Sequence, residues 1–302
     1  MANAKKEGTF KRVKNHEEKT KSQDNENKTS FNGEVAIYSK GNKSGINFSE
    51  IVKELSLLTG SSVEKIKDEC CLSQIQKIMA KTGKVVVRSN LTDSKMEEIL
   101  LSAVELKIGE ILIAPTYLGA IKRQVEKKGL SSQKINLLID FPFGESSFKS
   151  KMTELKIGRD EGVDEVTVVL PTALFSDRNK KELYWQTKKF AKAYKGNTSV
   201  AISVQELKEE QIRTAIDAVE KSAVKSIIFI FGNTTEEELS EKISVINSLN
   251  SKKPISIIAS VQSVNGLRVL LDFNLERVFT PYADEIGKEL IKKFKVKSLT
   301  NS

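Results

Sequence analysis

Eight short apolar runs, recurring about every 22 to 34 residues with amphipathic stretches between them, constrain this chain more than any other feature. They are Val85–Val87, Ile111–Ile113, Ile135–Ile139, Val166–Leu170, Val200–Val204, Ile227–Phe231, Ile255–Ile258 and Arg277–Phe279. Most are rich in β-branched residues and show no apolar–polar alternation. That is the pattern of strands buried on both faces, as in a parallel sheet covered by helices. Between the runs, apolar residues recur at helical spacing: Met96, Leu100 and Val104 after Thr92; Phe148, Met152 and Leu155 before Gly162; Leu183, Phe190 and Ala193 before Gly196; then Ile212, Ile216 and Val219. Thr234 and Glu237 have the spacing of a capping box before Leu239, Ile243 and Ile246. Eight strand–helix units over roughly 210 residues give the count of an α/β (β/α)8 TIM barrel. A doubly wound open sheet fits less well, because no glycine-rich phosphate loop follows the first strand.

The chain before the barrel divides in two. Residues 1–33 are Lys, Glu, Asn, Ser and Thr with few apolar residues, which predicts a disordered basic tail. Residues 34–82 predict a helical N-terminal extension. It holds a short strand at Val35–Tyr38, a helix with Ile51, Val52, Leu55 and Leu58, a second helix after Gly60, and a third over Leu72–Met79. Nothing in it marks a recognition helix of a helix-turn-helix. The barrel is expected over 83–298.

Composition narrows the chemistry. No run approaches eighteen apolar residues and no apolar stretch follows the N-terminal charges, so a cytoplasmic protein without a membrane span is expected. Cys70 and Cys71 are adjacent and form no disulfide framework. The only histidine, His16, lies in the tail, so the barrel has no imidazole for a base or a metal ligand. No metal and no cofactor are expected. The net charge of +9 suits a protein or RNA partner engaged through the basic tail.

One stretch is more specific. Asp140-Phe-Pro-Phe-Gly144, then Lys151, Glu154 and Lys156, then Gly162-Val-Asp-Glu-Val166, resembles the deoxyribose-phosphate aldolase family without a gap from about Leu138 to Pro171. Ile113-Ala-Pro115-Thr-Tyr117 matches the family's second-strand ending more loosely. The resemblance implies a Schiff-base aldolase. A sixth-strand lysine forms the imine, and a seventh-strand lysine depresses its pKa. A fourth-strand aspartate relays protons, and glycine-rich turns hold the phosphate. Carried over, the aspartate position falls on Thr167, the fifth-strand lysine near Ala201, the imine lysine on Ile228 and its partner near Ile258. The phosphate turns read Val261-Gln262 and Thr280-Pro281-Tyr282. Isoleucine cannot form an imine, so the resemblance implies a divergent member lacking the catalytic lysines, a pseudoenzyme acting through a partner. Lys225, Lys252 and Lys253 precede their strands and belong to the opposite face of a barrel.

The expected mouth still carries polar groups. Arg88, Asn90, Tyr117, Asp140, Gln205, Glu206, Asn233, Gln262 and Tyr282 are the candidate pocket for a sugar phosphate or another small polar ligand, with Arg88 as anion partner. Alternatively, these residues are ordinary loop ends, or Phe143, Phe231 and Tyr282 fill the pocket. A third reading is an aldolase-type enzyme with replaced catalytic residues, for which Asp140 and Glu206 are the carboxylates available.

Overall fold

The computed structural model describes residues 63–294, apart from 88–89, 177–178 and 233. Eight parallel strands close into a barrel in sequence order. They are β1 (Thr82–Val86), β2 (Glu110–Ile113), β3 (Ile135–Ile139), β4 (Glu165–Val169), β5 (Thr198–Ser203), β6 (Ile227–Ile230), β7 (Ile255–Ile258) and β8 (Arg277–Thr280). The helices, in chain order, are α1 (Val63–Ala80), α2 (Asp93–Glu105), α3 (Leu118–Lys128), α4 (Phe148–Asp160), α5 (Thr172–Ser176), α6 (Lys180–Ala193), α7 (Glu209–Glu220), α8 (Glu236–Ser248), α9 (Val264–Leu271) and α10 (Ala283–Phe294). A 3-10 turn, Pro115–Tyr117, leads into α3.

The eight expected strands are therefore all present, several shifted by a residue or more. The helical extension differs. Residues 63–80 form one helix where a break before Leu72 was expected. No glycine or proline interrupts that segment, and nothing else stops it. Ile75 and Met79 are buried, and α1 packs against α10 and β1. Its end is fixed by Gly109, whose N–H donates to the carbonyls of Met79 (3.1 Å) and Thr82 (3.0 Å). A Cβ at Gly109 would meet the Ala80 carbonyl oxygen at 2.1 Å, so only glycine allows this approach. Residues 1–62, including the expected tail and first extension helix, lie outside the described residues.

The outer shell follows the expected periodicity with two corrections. On α2 the buried face is Met96, Leu100 and Ala103; Val104 is only half-buried. Thr92 caps that helix, its hydroxyl accepting from the Lys95 N–H at 3.2 Å. The capping box of α8 is Thr235 with Glu238, one residue later than expected: the Thr235 Oγ1 accepts from the Glu238 N–H (3.2 Å), and the Glu238 carboxylate accepts from the Thr235 N–H (3.0 Å). Either threonine offers the same hydroxyl, and the helix start chooses between them.

Two separate apolar clusters make the core. The larger lies between sheet and helices. The smaller fills the barrel lumen and takes side chains from every strand: Val85, Leu112, Leu138, Val169, Ala201, Ile228, Ile230, Ile258 and Phe279. Such inward layers are how a barrel of this size is filled. Phe279 is the bulkiest member, and the register explains its fit. Gly83 on β1 is its partner across the β1–β8 seam, and a Cβ there would lie 2.1 Å from a Phe279 ring carbon. The missing side chain of Gly83 is the space that the ring occupies.

Candidate functional site at the barrel mouth

Catalytic groups of (β/α)8 enzymes sit at the C-terminal ends of the strands, so the site is sought there. The third strand ends in Asp140, in the left-handed region at φ +64°. Its carboxylate accepts from the Ser146 N–H (2.8 Å) and the Ser146 hydroxyl (2.7 Å), and its main-chain carbonyl accepts from the Gly144 N–H (2.9 Å). Gly144, at φ +72°, lies against the end of β4, where an added Cβ would come within 2.6 Å of main-chain atoms of Val169 and Leu170.

Lys151 of α4 locks this turn from behind. It is fully buried, donates to the Gly144 and Val169 carbonyls (the latter at 3.0 Å), and pairs with Asp140 at 3.1 Å. Burial pushes the Lys151 ammonium below the ordinary lysine range, and the hydrogen bond and charge of Asp140 oppose that shift. Burial, then the Asp140 charge, raises the neighbouring Glu154 carboxyl. Asp140 is thus engaged in holding the turn.

The remaining pocket candidates are scattered around the rim. Tyr117 is half-buried, and its hydroxyl accepts from the Leu91 N–H at 3.4 Å. Asn90 is exposed, at φ +75°. Gln205 lies over the main chain of Gly232, its Oε1 2.0 Å from where a Cβ would stand. Glu206 and Gln262 are exposed, and Tyr282 is half-buried. Arg88 and Asn233 lie outside the described residues. A cleft of about 40 Å³ beside the ends of β6 and β7, lined by Thr234, Ser260, Val261 and Gly266 among others, is far smaller than the roughly 300–1,000 Å³ of typical ligand pockets.

The positions carried over from the aldolase resemblance all lie inside the barrel. Ala201, Ile228 and Ile258 belong to the lumen cluster, with Ile228 and Ile258 only 1% and 4% exposed. Thr167 is fully buried, and its hydroxyl donates to Asn136 Oδ1 at 3.0 Å, away from the mouth. The expectation that Phe143, Phe231 and Tyr282 fill the pocket is corrected. Phe143 is 52% exposed, Phe231 packs in the outer core, and Tyr282 is absent from the lumen cluster, which Phe279, Phe141 and Val87 complete instead. The phosphate turns are also engaged: the Val261 N–H donates to Ala259, and the Tyr282 N–H to the Thr280 hydroxyl.

A group of polar residues that sequence reasoning missed lies at the other end of the lumen. Arg277 pairs with Glu110, and Lys225 with Glu165. Ser199 bridges Glu165 and the Ser226 hydroxyl (2.7 Å to the latter). Burial and the Glu165 charge raise the Glu110 carboxyl above its usual range, while Arg277 opposes them. The sequence signal was present in Asp164-Glu165: Asp164 accepts from the Ile135 N–H at 2.8 Å, and Glu165 turns inward. Lys225 stays at this N-terminal pole, as expected, and Lys253 donates to the Val224 carbonyl just before β6.

This arrangement is a (β/α)8 barrel whose lumen is filled with hydrocarbon above a polar N-terminal pole. No family model matches the chain. The chain is similar to the deoxyribose-phosphate aldolase of Mycoplasmoides pirum, at 25% identity over 213 residues, which is 69% of this chain and 95% of that protein. It is similar to that of Mycoplasma mobile at 23% over 207 residues, 68% of this chain and 94% of that protein. Among solved structures it superposes on QR15, an aldolase, with TM-score 0.63 and 18% identity, covering 72% of this chain and 96% of that one. It superposes on the deoxyribose phosphate aldolase of Aeropyrum pernix with TM-score 0.60 and 14% identity, covering 74% and 94%. The chain is a divergent relative that resembles deoxyribose-phosphate aldolases in sequence and shares their fold.

Proposed function

We propose that this chain is a catalytically inactive deoxyribose-phosphate-aldolase-like protein that acts by binding. One observation carries the reading. The positions that correspond to the paired lysines of Schiff-base chemistry hold Ile228 and Ile258, packed with seven other apolar side chains, so that neither position carries an amine. An amine must be present and deprotonated to attack a carbonyl, and the described lysines nearest in sequence to β6 and β7 are bound at the opposite pole. A relocated enzyme would need free titratable groups at the mouth; Asp140 is engaged by Ser146 and Lys151, which disfavours its use.

The test is an acetaldehyde-release assay with 2-deoxyribose 5-phosphate, run beside an active deoxyribose-phosphate aldolase. Turnover about 10⁴-fold or more below the control is expected, the scale of losing a catalytic nucleophile. A rate within a hundredfold of the control would overturn the reading. A thermal shift with the sugar phosphate but no turnover would identify a ligand-sensing barrel instead.

A further inference from the structure

The outer face of α6 is basic, and among the described residues it lacks the carboxylate partners that α3 finds for Lys122, Arg123 and Lys128 in Glu161, Asp93 and Glu97. Between Lys180 and Ala193 it carries five lysines against one glutamate. The neighbouring α7 carries four acids against one arginine, and α8 four acids against one lysine. At 100° per residue, Lys181, Lys188, Lys189 and Lys192 fall on one side of α6 with Tyr184 and Trp185, and Lys195 continues the line just beyond the helix. All five of these lysines are exposed, and among the described residues none has a carboxylate within ion-pair distance. Glu182, the only acid of the helix, is half-buried and accepts from the Gln186 amide.

An aromatic platform runs through this charge. Trp185 is 41% exposed and packs its ring against Phe148 of α4 at 4.6 Å, tilted by 42°. Phe148 in turn packs on the buried Phe190 at 5.3 Å, so the indole is braced from below. Lys189 lies over the Trp185 ring at 5.9 Å, and Lys188 over Tyr184 at 5.7 Å. Lys149 and Lys156 are exposed on α4, the helix against which α6 packs. An exposed, braced indole beside lysines without carboxylate partners offers a stacking face and positive charge together, which suits a ligand with both a π-face and repeated negative charge. Single-stranded nucleic acid has both.

We infer that the α4–α6 face, centred on Trp185, binds single-stranded nucleic acid, with a base stacked on the indole and the phosphates on Lys181, Lys188, Lys189 and Lys192. This surface is remote from the lumen in its chemistry, so the inference stands whether or not the barrel retains catalysis.

The chain has a single tryptophan, which makes the test direct. The full chain is titrated with a fluorescein-labelled 20-nucleotide oligouridine at low salt, with anisotropy and tryptophan emission both followed. Binding is expected to quench Trp185. Trp185→Ala should weaken it about tenfold. Lys188→Glu with Lys192→Glu should weaken it by at least about tenfold and make the salt slope shallower by about 0.7 for each lysine lost. A pair of equal charge change elsewhere on the exposed surface, Lys134→Glu with Lys252→Glu, should leave affinity within about twofold. No binding, binding without quenching, or equal losses in both double variants would overturn the inference. So would quenching by anionic phosphatidylglycerol vesicles with none by the oligonucleotide, which would make this a membrane-facing surface.

Discussion

Replacing Lys151 by methionine is expected to destabilise the barrel by about 3–5 kcal/mol, the scale for removing one member of a buried ion pair. Lys151 is fully buried, whereas the Asp140 side chain is 15% exposed. Methionine keeps much of the volume but leaves the carboxylate without its cation and the carbonyls of Gly144 and Val169 without a donor. The loss falls on the third-strand turn, whose two left-handed residues, Asp140 and Gly144, these contacts hold together with the Ser146 bonds and the Gly144 N–H to Asp140 carbonyl bond. Urea unfolding measures it, as a drop in midpoint at unchanged slope. A change below about 1 kcal/mol would show that the turn holds without its lysine.

The second large effect comes from restoring the missing residue. Ile228→Lys places an ammonium among Ala201, Ile258, Phe279 and the other lumen side chains. Full burial lowers a lysine pKa by about 3–5 units, which corresponds to about 4–5 kcal/mol lost at pH 7, where a lysine with a folded pKa below 7 sheds its proton and loses no more. The sign with pH follows from linkage. A lysine whose folded pKa is depressed binds fewer protons folded than unfolded, so stability rises with pH between the two pKa values. The variant should therefore be markedly less stable than the parent at pH 7 and recover much of the difference at pH 10, as read by chemical denaturation at both. Parent-like stability at pH 7 would mean that water and polar partners already reach the centre of the lumen, which is the condition for retained catalysis.

How much of this was legible in the sequence depends on the range of the interactions. The strands were, because continuous apolar runs such as Ile135–Ile139 have few alternatives to a buried parallel strand. So was the turn at Asp140, because its glycine and acid sit at fixed local spacing. Ile228 and Ile258 were singled out by the aldolase resemblance, and the structure sets both side chains in the lumen. The polar pole was not legible. Arg277 and Glu110 are 167 residues apart, and only closure of β8 on β1 brings them together. The same closure sets Phe279 over Gly83, so the choice of Phe143 and Tyr282 as the occluding rings could not be corrected from spacing. Phe143 in particular is carried outward by a turn with positive φ on either side of it. The lysines of α6 were visible from the start. Their lack of carboxylate partners was not, because that depends on which helices lie beside them.

Borohydride trapping tests the central claim most directly. The purified chain and an active deoxyribose-phosphate aldolase are each reduced in the presence of 2-deoxyribose 5-phosphate, and the adducts are mapped by peptide mass. A stoichiometric adduct is expected on one lysine of the control, and none confined to a single lysine here. A stoichiometric adduct on one barrel lysine of this chain, Lys151 included, would contradict it and restore an imine-forming enzyme.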